Sequence, residues 1–285
     1  MSKITKICFS QINNAGDRFN YDLLEFFDVE AEIVGSSRKA DLLMIGGGIS
    51  DLQKTSCRAC ETPLHVWGTG FLYGDDVHDP LCRTNLIVHA LRGRLSKMKL
   101  EGLLGKPLPT NLPLADPGLL ASFFSGKRVD KKHAIGFIPH FREHESDEVK
   151  LVLESRPDMH FIDITQEPLD VIGAIQECDT IVPSSLHGLV FSDSLHIPNT
   201  HAQLTELPKG GSFKFRDYYS SFDLSDPALT VDDVLALTPE AIKKRYQVTP
   251  QEIEKKKRQL IRTFPLRSAS VGHYAKRLYR WLSLR

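Results

Sequence analysis

The chain has 285 residues, 41% hydrophobic and 25% charged, with 36 Lys/Arg against 36 Asp/Glu. That is the composition of a globular protein with room for two domains of ordinary size, and no apolar run approaches the ~20 residues that span a bilayer. The five cysteines, at 8, 57, 60, 82 and 178, form no disulfide framework, so reduced thiols in a cytoplasm are expected. The lone CxxC at Cys57–Cys60 has no second pair, and neither a metal nor a redox site is expected there.

Ile4 to Ile12 is apolar-rich and reads as a first strand, so the opening MSKITKICFSQINNAGD is a strand and its loop rather than a leader. The polar loop Gln11 to Asp17 follows, then a helix over Asp17 to Phe27 with Asp17 as its simplest N-cap. Open α/β sheets bind ligands at the carboxyl ends of their strands, where this loop lies. Ala31 to Val34 and Asp41 to Ile45 are the next strands. The second runs into Gly46-Gly47-Gly48, which lets a ligand or another backbone come close. It is not a GxGxxG fingerprint, and no acidic ribose anchor follows it.

Leu64 to Gly70 and Leu86 to Leu91 are two more strands, and Leu95 to Leu104 is a helix. Arg92 stands between the last two, either as an anion grip or as a surface residue at a turn. Asp116-Pro117 favours a turn that closes a first domain. After the basic link Lys127 to Lys132, a second series begins with the strand Ala134 to Ile138. Pro139-His140-Phe141-Arg142 follows at its end, where His140 is a loop residue or a substrate contact. Strand Met159 to Ile164, helix Leu169 to Cys178 and strand Thr180 to Val182 continue the alternation. Two βα series joined by a link predict two doubly wound α/β domains facing a cleft.

Thr180 to Pro198, TIVPSSLHGLVFSDSLHIP, is the most informative stretch. A short strand breaks at Pro183, and Leu186, Leu189, Val190 and Leu195 then recur at helical spacing. Ser184 or Ser185 is placed to cap the helix with its hydroxyl. The first turn offers free N–H groups and a positive dipole end to a phosphate or carboxylate. His187 sits in that turn, able to exchange a proton with a bound anion, and Gly188 leaves room beside it. Further on, Phe213 to Tyr219 mixes aromatic and basic residues, suited to sugar and anion recognition or to a packed surface loop. Helices follow over Val231–Leu237, Pro239–Tyr246 and Pro250–Arg262, with Lys255 to Arg258 as a solvated face. From Glu240 onward there are 13 Lys/Arg against 3 Asp/Glu. The end of this tail, HYAKRLYRWLSL, is amphipathic and suited to docking on the protein's own body or to a membrane surface.

SSLHG followed by an apolar helix ending in Ile-Pro resembles the signature of the polysaccharide pyruvyl transferase family. Asn14-Ala15-Gly16-Asp17 with Asn20 is similar to that family's N-x-G-D-x-x-N pattern. The glycine run with Gly47 and Gly48, Arg92-Gly93 with Ser96, Asp116-Pro117, Pro-His-aromatic at His140 and the K-F-x-D-Y-Y string at Lys214 also fall in the expected order. One departure is Ser185, where some members carry an arginine, so the charge of a bound anion must be balanced elsewhere.

The resemblance implies an α/β fold of two Rossmann-like domains in a GT-B-like arrangement, here 1–122 and 123–262, with a basic helix at 263–285 packing back on the first. It also implies transfer of a pyruvate ketal from phosphoenolpyruvate to two hydroxyls of a sugar in a polysaccharide or its lipid-linked repeat. No cofactor, metal or nucleic acid is then required. His187 is expected as the acid and Asp17 as the base. Arg92, Arg142 and Arg216 are expected as anion clamps, with Asn14, Gly16, Gly47, Gly48, His140, Ser184, Ser185, Leu186 and Gly188 lining the site. The implied place of action is the cytoplasm or the inner face of its membrane, where the basic C-terminus could make peripheral contact. A nucleotide-sugar glycosyltransferase and a non-catalytic saccharide-binding protein are the alternatives.

Overall fold

The computed structural model describes residues 5–53, 62–74, 79–126 and 129–266, so the CxxC at 57–60 and the tail from 267 lie outside the described residues. Two parallel sheets organise them. The first joins β1 (Thr5–Ile7), β2 (Ala31–Ile33), β3 (Leu42–Leu43), β4 (Leu64–Trp67) and β5 (Leu86–Ala90) in the order β2-β1-β3-β4-β5. The second joins β6 (His133–Ile138), β7 (Met159–Phe161) and β8 (Cys178–Pro183) in the order β7-β6-β8. Parallel bridges Ile181–Asn199 and Ala202–Leu229 carry this second sheet outward.

Each order reverses once, between β1 and β3 and between β6 and β8. A reversal splays the loops at the carboxyl ends of the two strands apart and leaves a crevice there. Residues 8–14 and 44–47 flank the first crevice, and residues 139–146 and 184–185 the second. Asn14, Gly46-Gly47, His140, Arg142, Ser184 and Ser185 fall in these four loops, whereas Arg92 and Arg216 do not.

Helix α1 (Ala15–Phe26) buries Phe19, Leu23, Leu24 and Phe26 along one face. Its cap is Asn14, whose Oδ1 accepts from the Gly16 N–H at 2.9 Å, rather than Asp17. The helix therefore starts two residues earlier than expected, and the Asp17 carboxylate is not used as a cap. Helix α2 (Arg94–Leu104) ends at Gly105, which takes the left-handed conformation at φ 63°. Helix α3 (Asp147–Ser155) is absent from the sequence expectations because it buries only Val149 and Val152, too few positions to set a period. Helices α4 (Pro168–Gln176) and α5 (Leu186–Ser194) lie where expected.

Phe213–Ser220 is helix α6 and no surface loop: Phe213, Phe215, Tyr218 and Tyr219 are all buried. Helices α7 (Val231–Leu235), α8 (Pro239–Arg245) and α9 (Pro250–Thr263) complete the described chain. Helix α9 packs back on the first sheet, and the helix expected over 263–285 lies almost wholly outside the described residues. Trp67 Nε1 donates to the Leu260 carbonyl at 3.1 Å, and Phe264 stacks on Phe27 with ring centroids 3.7 Å apart. The lysine run is a solvated face only in part: Lys255 and Arg258 are exposed, but Lys256 and Lys257 are buried. Lys256 Nζ donates to the Leu114 and Ser221 carbonyls, and Lys257 Nζ to Ser122 Oγ, the Ser194 carbonyl and Glu254.

One apolar cluster runs unbroken from the first sheet to the second, with Ile7, Phe19 and Leu42 in contact through α5 (Leu189, Val190, Phe191) with Ile138 and Ile181. Phe19 meets Phe191 edge-on at 5.2 Å. Cys82 is disulfide-bonded, against the expectation of reduced thiols, whereas Cys8 and Cys178 are free and buried. Among the described residues no helix is long and apolar enough to cross a membrane.

Candidate active site

The site is built from the start of α5. Strand β8 is held against β6 to its last residue, and the Ser184 N–H donates to the Ile138 carbonyl at 3.0 Å. The chain turns at Ser185, the N-cap by backbone geometry, but its hydroxyl makes no capping hydrogen bond, contrary to expectation. The N–H groups of Leu186, His187 and Gly188 therefore have no partner within the helix and point out of it at the positive end of the dipole. His187 is buried, and its Nε2 has no hydrogen-bond partner. Burial first, then the charges of Lys214 and Arg92, push its pKa down to about 3. The ring is neutral and carries an unsatisfied polar atom.

The first sheet supplies the facing wall. The Ala15 N–H donates to the Ile164 carbonyl at 2.8 Å, fixing the start of α1 against the second sheet. Gly16 lies directly under the imidazole: a Cβ there would stand 1.8 Å from His187 Nδ1, so only glycine fits. Asp17 follows, beside Gly46, whose φ of +105° turns the backbone away; a Cβ on Gly46 would stand 3.5 Å from Asp17 Oδ1. Burial raises the Asp17 pKa to about 7, against the opposing pull of Lys214.

This carboxyl links stability to pH. The unfolded chain releases its proton at the ordinary 3.8 and the folded chain at about 7, so the folded state holds more protons between those values. Stability contributed by Asp17 therefore falls as pH rises through that window. Asp17→Asn, which cannot ionise, is expected to be more stable than wild type at about pH 8 by about 1–3 kcal/mol and equal to it at about pH 4. Thermal melts at the two pH values check this. A variant less stable at the higher pH would mean that the carboxylate is well satisfied in the fold.

The loop after β6 closes the second side. The His140 N–H donates to Ser184 Oγ at 2.9 Å, and the Arg142 N–H to His140 Nδ1 at 3.2 Å. His140 is buried, and desolvation, followed by Lys214, Arg142, His144 and His187, pushes its pKa down to about 3. Glu143 organises this loop. Its carboxylate accepts from Ser184 Oγ, from the His140 N–H at 3.2 Å, and from Thr205 N–H and Oγ1 at 3.2 and 2.8 Å. Arg142 is exposed, with its guanidinium 5.7 Å from the Phe141 ring centroid.

Not every expected residue joins this cluster. Arg216 is exposed, whereas Lys214, two residues earlier on α6, is buried. Gly47 and Gly48 serve packing: a Cβ on them would meet the Leu72 and Leu43 side chains. Gly188 faces Ile138 and Pro183, so its small size brings α5 onto the second sheet rather than leaving room for a ligand. Leu186 is a core residue. Arg92 is buried and already paired, its Nε donating to Asp217 Oδ2 at 2.8 Å and its Nη2 to the Phe71 carbonyl at 2.5 Å. It therefore pins α6 in place while its charge reaches His187.

Two residues of the cluster were not foreseen. Lys214 lies in a segment expected to be irregular, where no face can be assigned. The one available signal was its place opposite Arg216 on a helix, since residues two apart point about 200° from one another. Glu143 carries no local pattern, and its importance comes from four donors converging in space.

Residues 3–201 match the polysaccharide pyruvyl transferase family. The chain is similar to the succinoglycan biosynthesis protein ExoV of Rhizobium meliloti, with 25% identity over 214 residues, 73% of this chain and 61% of that protein. It is also similar to uncharacterized protein L143 of Acanthamoeba polyphaga mimivirus, with 27% identity over 223 residues, 74% of this chain and 71% of that one. The matched span contains both crevice-forming reversals and the His187 helix start, and on that ground the chain belongs to the polysaccharide pyruvyl transferase family.

Proposed function

We infer that this protein transfers a pyruvate ketal from phosphoenolpyruvate to two hydroxyls of one sugar residue in a polysaccharide or its lipid-linked repeat. The observation that carries the reading is the uncapped start of α5, where the unsatisfied His187 Nε2 and free backbone N–H groups stand beside Gly16, the residue before Asp17. A donor with a phosphate and a carboxylate is matched by helix-end amides and cations.

In this reading His187 protonates the methylene carbon of the bound donor. Anionic charge beside the ring offsets the desolvation that keeps it neutral when the site is empty. The central carbon becomes cationic and is attacked by one sugar hydroxyl, whose proton passes to Asp17. The carbon–oxygen bond to phosphate then breaks, and phosphate leaves with the electron pair. The second hydroxyl closes the ring on the same carbon and loses its proton. Of the two hydroxyl protons released, one replaces that given to the methylene carbon and the other leaves on phosphate. A carboxyl with a pKa of about 7 is poised to accept and return a proton near neutral pH.

The test is phosphate release from phosphoenolpyruvate by the wild-type chain with galactose-, mannose- and glucose-containing acceptors, read together with the product mass. Acceptor-dependent release and a product heavier by a pyruvate ketal is the expected result. No calorimetric heat with phosphoenolpyruvate, but heat with a nucleotide sugar, would replace this reading with a glycosyltransferase.

A further inference from the structure

Glu143 is 1% exposed, and among the described residues its carboxylate is held by hydroxyl and backbone N–H donors rather than by an ion pair. Oε2 accepts from Ser184 Oγ and from the His140 N–H, and Oε1 from the Thr205 N–H and Oγ1. These donors stand on three separate stretches: the loop after β6, the turn into α5, and the chain beyond the Ala202–Leu229 bridge. Two of the stretches are already fixed to the second sheet. The Ser184 N–H is held by the Ile138 carbonyl at 3.0 Å, and the Ala202 N–H by the Pro183 carbonyl at 2.9 Å. The third is the His140 loop, which folds on itself through the Glu143 N–H on the His140 carbonyl at 2.7 Å and the Ser146 N–H on the Glu143 carbonyl at 2.8 Å. The Glu143 carboxylate ties that loop to the other two.

What the tie holds in place is an imidazole of fixed polarity. His140 Nδ1 accepts from the Arg142 N–H, so the neutral ring carries its hydrogen on Nε2 and can only donate at that edge. The charged and titratable groups facing it are Lys214 on α6, Arg142 and His144 on its own loop, and His187 on α5. None of them is acidic, and together with burial they keep the ring uncharged. His140 thus brings a neutral N–H donor to the same crevice as His187. A glutamine at 143 cannot keep the tie. A carboxylate only accepts, and each oxygen of Glu143 serves one backbone N–H and one hydroxyl. The single oxygen of an amide serves one pair, and its NH2 group then confronts the N–H of either His140 or Thr205.

We propose that Glu143 is a positioning residue that acts through His140: by tying the loop after β6 to Ser184 and Thr205, it holds the His140 Nε2–H ready to donate to an oxygen of the substrate in the crevice. The identity of that substrate rests on the donor reading above, and the tie itself does not. A misplacement of about 1 Å can cost on the order of 100-fold in rate, so a residue that touches no substrate can still govern turnover.

Two measurements on the full chain test this in wild type, Glu143→Gln, His140→Ala, the double variant and the control Glu145→Gln, whose side chain is 93% exposed on the same loop. The first is nitrogen NMR of the histidine rings. In wild type and Glu145→Gln, His140 is expected as the neutral ring with its hydrogen on Nε2 across about pH 5 to 8. In Glu143→Gln it is expected to exchange between tautomers and to titrate nearer its ordinary 6.5, as the loop opens to water. A His140 signal unchanged in Glu143→Gln overturns the proposal. The second is acceptor-dependent phosphate release. Glu143→Gln is expected to lower kcat/KM by about 10- to 100-fold, and the double variant to fall no further than His140→Ala alone. Losses that multiply in the double variant mean that Glu143 does not act through His140, and they overturn the proposal. Should Glu143→Gln fail to fold, Thr205→Val removes one donor from the far oxygen and carries the same readings: a smaller change in the same sense supports the tie, and an unchanged His140 signal overturns it. No binding or turnover of phosphoenolpyruvate by wild type overturns the donor reading, and the nitrogen spectra alone then decide on Glu143.

Discussion

His187→Ala is expected to lower acceptor-dependent phosphate release by about 100- to 10,000-fold while leaving the fold intact, the range found when a general acid or base is removed. Among the described residues the imidazole Nε2 donates to nothing and accepts from nothing, so its loss breaks no network there. Its nearest aromatic contact is Phe191, with ring centroids 6.0 Å apart. Alanine therefore leaves a small polar void above Gly16 rather than an orphaned partner, and the melting temperature should stay close to wild type. The pH profiles carry a second signature. In the free protein the ring is held neutral down to about pH 3, so kcat/KM should show no limb from His187 near neutrality. A bound anion raises that pKa, and the profile of kcat should acquire a limb that the alanine variant lacks. Turnover within tenfold of wild type in His187→Ala would remove the ring from the chemistry and leave Asp17 as the proton donor to examine.

Arg92→Met is expected to destabilise the fold by about 3–5 kcal/mol, the usual consequence of deleting one partner of a fully buried ion pair. Arg92 and Asp217 are 1% and 0% exposed. Without the guanidinium, Asp217 is left as a buried carboxylate with only Ser96 to donate to it, and the Phe71 carbonyl loses its donor. The loss falls on the seam between α2 and α6, so α6 should be misplaced as stability falls. Chemical denaturation of Arg92→Met, Asp217→Asn and the double variant gives the coupling energy directly. A coupling near zero would mean that α6 is held by its buried aromatic residues alone.

Much of the architecture was legible because alternation between period two and period 3.6 survives in short segments. The strands Leu64–Trp67, Leu86–Ala90 and Cys178–Pro183 and the helices α4, α5 and α9 lie within a few residues of expectation. Within the site, the legible part was that encoded by local strings: Asn14-Ala15-Gly16-Asp17 and Ser184-Ser185-Leu186-His187-Gly188 both stand at the crevice. What escaped depends on where a side chain points. Arg216 was expected as an anion clamp, but α6 turns it outward and Lys214 inward. The lysines at 256 and 257 looked solvated because a charge run usually is, yet α9 lies wedged against Leu114, Ser122 and Ser194, whose polar groups take up both ammonium heads. Gly188 looked like space for a ligand and is instead space for Ile138. In each case the residue type was informative, and the direction it faced came only from tertiary packing.

The continuous core from Phe19 to Phe191, together with the return of α9 to Trp67 and Phe27, bears on the order in which the molecule can be assembled. Roughly the first 120 residues leave the ribosome with their sheet formed but two of its largest rings uncovered, because Leu260 and Phe264 are still to be synthesised. Contacts that link positions about 190 residues apart raise the contact order and delay the final closure. The nascent first half is therefore expected to remain loosely packed, and dependent on protection from aggregation, until α9 docks. A crevice whose two walls come from both halves is then completed last, at the step that also seals the core.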